Sequence, residues 1–129
     1  MNIPSDLRYT KNDEWVRVEG EAATAGITDY AQNQLSDIVF VELPSVGATL
    51  KQGETFASLE SVKAASDVYM PVGGAITAVN DALSDSPELV NQDPFGKAWM
   101  VKFKVADMGE LNGLMDAAAY EKYCEERAH

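Results

Sequence analysis

With 129 residues, 46% of them hydrophobic and 24% charged, the chain has apolar material for one domain with a modest core and is not compositionally disordered. A formal net charge of −11 argues against nucleic acid as a partner, because phosphate repels an acidic surface. The single cysteine, Cys124, excludes an internal disulfide framework and a cysteine zinc site, and no apolar run is long enough to span a bilayer.

The same charge predicts a soluble monomer whose partners present basic patches, since complementary fields speed encounter. The start, Met1 to Asp6, carries neither a basic-then-apolar signal nor an Arg-rich transit segment. Together with the lone thiol, this fits a bacterial cytoplasm.

Most of the chain reads as short strands punctuated by Gly and Pro. Trp15 to Glu19 alternates weakly before the turn residue Gly20, and Ala22 to Ile27 is extended. Thr28 is placed to cap a short helix over Asp29 to Leu35, with Asp29 suited to its first turn. Ile38 to Leu43 is β-branched and aromatic, and Pro44 ends it. Gly47 and Gly53 mark turns on either side of Leu50.

Thr55 to Ser61 and Asp67 to Val72 predict two strands flanking Lys63. Gly73-Gly74 predicts a hairpin turn with positive φ, followed by a strand over Ala75 to Val79. Asn80 to Pro94 reads as a long loop with one helical turn. In Trp99 to Val105, Trp99, Val101, Phe103 and Val105 share one face and Lys102 and Lys104 take the other. Leu111, Leu114 and Met115 have helical spacing, and Asp116 can cap an Ala-rich helix over Ala117 to Cys124. The predicted fold is mainly β: a flattened barrel or sandwich hybrid of short antiparallel strands, with a short helix in the N-terminal half and helices at the C-terminus. One domain covers residues 1–129, a β body over about 8–105 and a helical tail over about 107–127.

Catalytic motifs are sparse. The only histidine is His129, the last residue, so a buried Ser-His-Asp or Cys-His arrangement is not expected. Neither H-E-x-x-H nor a P-loop occurs, and Trp15, Trp99 and Phe103 read as core. The feature that stands out is Lys63. It is the only Lys or Arg between Lys51 and Lys97, its neighbours Ser61, Val62, Ala64 and Ala65 are small or medium, and Glu60 lies three residues before it. A strand–lysine–strand hairpin offers one amine to a modifying enzyme and then to several partners.

The segment Glu60-Ser61-Val62-Lys63-Ala64-Ala65-Ser66-Asp67 resembles the lipoylation signature of the glycine cleavage system H protein family, whose domain is lipoyl-domain-like. The likeness extends through Glu14-Trp15, Gly26 to Gln32, Asp37 to Pro44, Pro71 to Asn80, Leu83 to Asn91 and the Trp99 strand. Four places depart from the family pattern. Asp13 stands where a histidine is usual, Ser36 for a glycine, Gly73 for a serine, and Lys97-Ala98 for Gly-Gly.

The resemblance implies a covalent carrier, not an enzyme, with lipoate in amide linkage to Lys63. It implies a shuttle of the aminomethyl group of glycine. A pyridoxal-phosphate glycine decarboxylase (P protein) loads the arm and a tetrahydrofolate-dependent aminomethyltransferase (T protein) unloads it. Dihydrolipoyl dehydrogenase (L protein) reoxidises it. By the same resemblance, Glu60 and Gly74 are what the lipoylating enzyme reads; Gly74 is also a plain turn glycine. The loaded arm carries an ammonium, which a carboxylate could hold by a charge-assisted hydrogen bond. Glu14 and Asp67 are the candidates, with Ser66 as helper.

Three alternatives compete. A lipoyl domain of a 2-oxo acid dehydrogenase complex, or its biotinyl cousin, shares the lysine hairpin, but the first is generally shorter and the second usually flanks its lysine with methionines. A lipoate-relay protein of the same fold would use the same lysine. An unmodified structural module would leave Lys63 free.

Overall fold

The computed structural model describes residues 1–127. In chain order the elements are β1 (Arg8–Tyr9), β2 (Glu14–Glu19), β3 (Ala22–Ile27), α1 (Asp29–Leu35), β4 (Ile38–Glu42), β5 (Thr49–Leu50), β6 (Thr55–Ser61), β7 (Ala65–Tyr69), β8 (Gly74–Val79), α2 (Ala82–Asp85), α3 (Leu89–Gln92), β9 (Val101–Val105), a 3-10 segment (Met108–Gly113) and α4 (Ala117–Arg127). His129, and with it the argument from its terminal position, lies outside the described residues.

Two antiparallel sheets carry the fold. One has six strands in the order β1-β2-β3-β9-β8-β5, and the other has three in the order β4-β6-β7. Val16, Ile76, Val101 and Phe103 of the larger sheet and Ile38, Val41, Leu59 and Val68 of the smaller are buried in one shared core. Burying each such side chain contributes about 1.5–3 kcal/mol, so facing apolar stripes hold the sheets together. The mainly β hybrid of short antiparallel strands with helices is as predicted, in its sandwich form: the two sheets pack on one core and stay open. The short strand β5 pairs with β8 only through Thr49 and Leu50, and among the described residues no ladder joins it to the smaller sheet.

Local chemistry explains most boundaries. The Thr28 hydroxyl accepts from Ala31 N at 3.2 Å and caps α1. Gly20, Gly47 and Gly53 all have positive φ, as turn glycines should. Gly73-Gly74 does not make the predicted positive-φ hairpin. Gly74 opens β8 and pairs with both β5 and β9, because a Cβ there would come 2.7 Å from Phe103 and closer still to the Lys104 carbonyl. The predicted loop over Asn80 to Pro94 contains two short helices, α2 and α3. The Asn80 side chain organises its start, donating to the carbonyls of Lys97 at 2.7 Å and Trp99 at 2.8 Å. Trp99 precedes β9 and is half-buried under Lys102, whereas Trp15 and Phe103 are core.

The tail forms as predicted, with its first helix tightened to 3-10 geometry. Asp116 accepts from Ala119 N at 2.8 Å at the start of α4. α4 docks on β1 through a separate cluster of Leu7, Tyr9, Trp15, Phe95, Tyr120 and Cys124. The rings of Tyr9 and Tyr120 stack 4.6 Å apart. Among the described residues, no helix is long and apolar enough to cross a membrane.

Candidate functional site: a lysine turn beside a buried carboxyl

Lys63 sits at the tip of the β6–β7 hairpin and is exposed. The turn is held by one hydroxyl. Ser61 Oγ accepts from Lys63 N at 3.1 Å and from Ala64 N at 3.0 Å, and it donates to the Ala64 carbonyl at 3.1 Å. Val62 N donates to the Asp37 carbonyl at 3.0 Å, tying the tip to the segment before β4. Lys63 Nζ donates to the Gln34 carbonyl at 3.2 Å. That carbonyl lies in the last turn of α1, where unpaired C=O groups favour a cation and where α1 has no basic residue of its own.

Beside the tip, a cleft of about 180 Å³ opens between the Asn12–Glu14 turn, α1 and the hairpin. Glu14, Ser66 and Asp67 all line it, together with Asp13 and Gln34. Glu14 is 1% exposed. Burial pushes its carboxyl up to about 7, against the downward pull of hydrogen bonds from the Thr10 hydroxyl (2.5 Å) and Tyr69 N (3.4 Å), with a small upward push from Asp13. A carboxyl poised there can be neutral when the cleft is empty and ionised when a cation enters. Asp67 is exposed at the rim, and Ser66 is half-buried with its hydroxyl donating to the Asp67 carbonyl at 3.4 Å.

The other two predicted residues diverge. Glu60 is exposed on β6, opposite Ala65 and Phe40, one pair below the turn. Gly74 is buried in the other sheet and is not across the hairpin from Lys63. Its tight packing is a backbone requirement of the β8–β9 pairing.

Four residues with a clear place at the site were not legible as such. Ser61 read only as a small neighbour, although a Ser three residues before a turn's end is a familiar turn-closing pattern. Asp13 lines the cleft and gives its carboxylate to Arg127 (Nη2 to Oδ1, 2.6 Å) and to the Tyr120 hydroxyl (2.8 Å). Those partners lie more than a hundred residues away, and no local pattern announces them.

Residues 7–127 match the family model described as Glycine cleavage H-protein. The chain belongs to the glycine cleavage H-protein family. It is 56% identical over 126 residues to a Glycine cleavage system H protein of Halothermothrix orenii, spanning 98% of each chain. It is 57% identical to one from Pseudoalteromonas atlantica, over 97% of this chain and 98% of that one. A crystal structure of a glycine cleavage system H protein from Mycobacterium marinum superposes with a TM-score of 0.85 at 34% identity, covering 98% of this chain and all of that one. The H-protein role in the glycine cleavage system therefore holds for this chain, and the reading as a 2-oxo acid dehydrogenase lipoyl domain is set aside.

Proposed function

We propose that Lys63 is the residue through which this H-family chain works, carrying lipoate as an amide and acting as a carrier without catalysis of its own. The observation that carries this reading is the exposed Lys63 on a hydroxyl-braced turn, its amine bonded to the carbonyl of Gln34, a residue that lines the cleft holding the buried Glu14 carboxyl. When bound, the group supplies a reversible dithiol–disulfide end that accepts the aminomethyl unit of glycine. The residues fit such a group. Acylation removes the Lys63 charge, and the remaining N–H is still a donor of the kind the Gln34 carbonyl accepts.

The chain's own residues then have separate tasks. Glu60, exposed beside the turn, is a contact for the lipoylating enzyme. Gly74 acts in that recognition only indirectly, by letting β8 and β9 pair. Glu14, with Ser66 and Asp67 at the cleft, receives the ammonium of the loaded arm and keeps water from it. The chain functions as a single carrier unit, a β body over residues 8–105 braced by the tail over 107–127, and as a monomer in the cytoplasm. Tethering raises the arm's local concentration in each docked active site. The docked partners are the glycine decarboxylase, the aminomethyltransferase and dihydrolipoyl dehydrogenase, and acidic surface charge favours basic faces on them.

The test is intact mass and reconstitution with the three partner enzymes. Wild type from a lipoate-competent host gains one lipoyl mass on Lys63 and supports glycine cleavage. Lys63→Arg, which keeps the charge but cannot form the amide, gains no mass and supports none; a Lys63→Arg chain that still shuttles one-carbon units overturns the reading.

A further inference from the structure

α4 supplies no lining residue to the Glu14 cleft, yet it is bound to two of the cleft's three walls. The first wall is the turn before β2. Asp13 holds a left-handed backbone there, φ 68°, which costs a non-glycine residue about 1 kcal/mol or more. It is kept there by Asp13 N donating to the Thr10 carbonyl (3.2 Å) and Thr28 N donating to the Asp13 carbonyl (2.9 Å). The second wall is α1, whose cap is Thr28 and whose first turn includes Tyr30.

α4 grips both. The Arg127 guanidinium donates with Nη1 to Asp13 Oδ2 (3.0 Å) and with Nη2 to Oδ1 (2.6 Å), a two-pronged geometry that fixes orientation as well as distance. Its plane lies 4.1 Å from the ring of Tyr30 on α1 and 4.1 Å from that of Tyr123 on α4. The buried Tyr120 hydroxyl donates to Asp13 Oδ1 at 2.8 Å and shares a 2.6 Å hydrogen bond with the Thr28 hydroxyl. One carboxylate thus joins the turn, the start of α1 and the C-terminal helix.

We propose that Asp13 and Arg127 are positioning residues, a latch by which the C-terminal helix sets the width of the Glu14 cleft and keeps Glu14 as its receptive carboxyl. Arg127 occupies both oxygens of Asp13, so this half-buried carboxylate is not left to compete with Glu14 for a cation. The consequence for the loaded arm rests on the Glu14 reading above; the latch itself does not.

The experiment uses the full unmodified chain with Arg127→Met, which retains an unbranched side chain between the two rings, and Asp13→Asn, which keeps size and tolerates the left-handed backbone. The charged groups facing Glu14 are Lys11 and Asp13 on the turn and Asp67 on β7, with Thr10, Gln34 and Tyr69 N as polar neighbours. Carbon-13 NMR titration of the Glu14 carboxyl reads the electrostatic half. Arg127→Met uncovers the Asp13 charge and moves the Glu14 midpoint up; Asp13→Asn removes that charge and moves it down. Simple loosening would admit water in both variants and move both midpoints down, which overturns the proposal, as do two unmoved midpoints.

Hydrogen exchange reads the mechanical half. At Thr28 N–H it quickens about tenfold more in Arg127→Met than at the core amide of Met100, with Arg127→Lys restoring part of the protection. Equal changes at the two amides overturn the latch. The aminomethyl-loaded chain gives the separate check. Its lifetime falls several-fold in Arg127→Met if Glu14→Gln also shortens it; if Glu14→Gln leaves it unchanged, the shelter reading falls and the latch is judged on titration and exchange alone.

Discussion

Ser61 and Ala64 close the Lys63 turn upon themselves: the serine hydroxyl accepts the Ala64 N–H at 3.0 Å while donating to the Ala64 carbonyl at 3.1 Å. Ser61 N also donates to that carbonyl at 2.8 Å. The lysine is therefore anchored at its root by the turn, while its exposed end makes a single hydrogen bond, to the Gln34 carbonyl.

Removing that hydroxyl should loosen the root and leave the amine. In Ser61→Ala, stability should fall by about 1 kcal/mol, since one local network is lost at an exposed site. Backbone order parameters at residues 62–64 should drop below about 0.6, and the lipoylation rate should fall while the final extent stays complete. Unchanged order parameters would show that the backbone bonds alone hold the turn.

Glu14 gives a pH dependence whose sign can be worked out. Its carboxyl titrates at about 7 in the folded chain, against 4.5 for an ordinary one. Between those values the folded state holds a proton that the unfolded state has released, so stability falls as pH rises from below 4.5 to above 7. The gap corresponds to roughly 3 kcal/mol at most. Glu14→Gln keeps the shape and removes the titration, so the variant should gain on wild type by about 2–3 kcal/mol between pH 5 and pH 8 in urea unfolding. A constant difference across that range would place the Glu14 carboxyl at an ordinary pKa.

Ser36 ends α1 with φ 67° and ψ −155°, a region essentially reserved for glycine. Its N–H still donates to the Gln32 carbonyl at 3.0 Å. Ser36→Gly should relieve the strain and stabilise the chain by about 1 kcal/mol, after the larger unfolded-state entropy of glycine is subtracted. Thermal and urea midpoints should both rise; a fall in either would mean that the serine side chain makes up for its backbone.

Gly74→Ala forces a methyl against the Phe103 ring and the Lys104 backbone, where a rigid β-pair cannot give way. The loss should be on the order of 3 kcal/mol. Lipoylation should decline in proportion to the folded fraction, and at low temperature the folded variant should be modified at the wild-type rate. A folded variant that is modified slowly would restore Gly74 to direct recognition.

The longer strands, the Thr28 cap, the glycine turns at 20, 47 and 53, the Asp116 cap and the isolation of Lys63 were readable because each depends on residues within a few positions of one another, whereas the two-residue strands β1 and β5 are too short to show alternation. Alternation, capping and turn chemistry are short-range, and the segment around Lys63 carries its own signature. The open sheets, the burial of Glu14 and the inward place of Gly74 were not readable, because they arise when β7, β2 and β9 meet across large separations in the chain. Asp13 and Arg127 stand 114 positions apart and come within 2.6 Å. Composition and periodicity settle which residues lie in strands and where an amine can be displayed. Which carboxyl loses its water, and which is claimed by an arginine, depends on packing between distant segments, because desolvation and ion pairing are properties of assembled surroundings rather than of neighbours along the backbone.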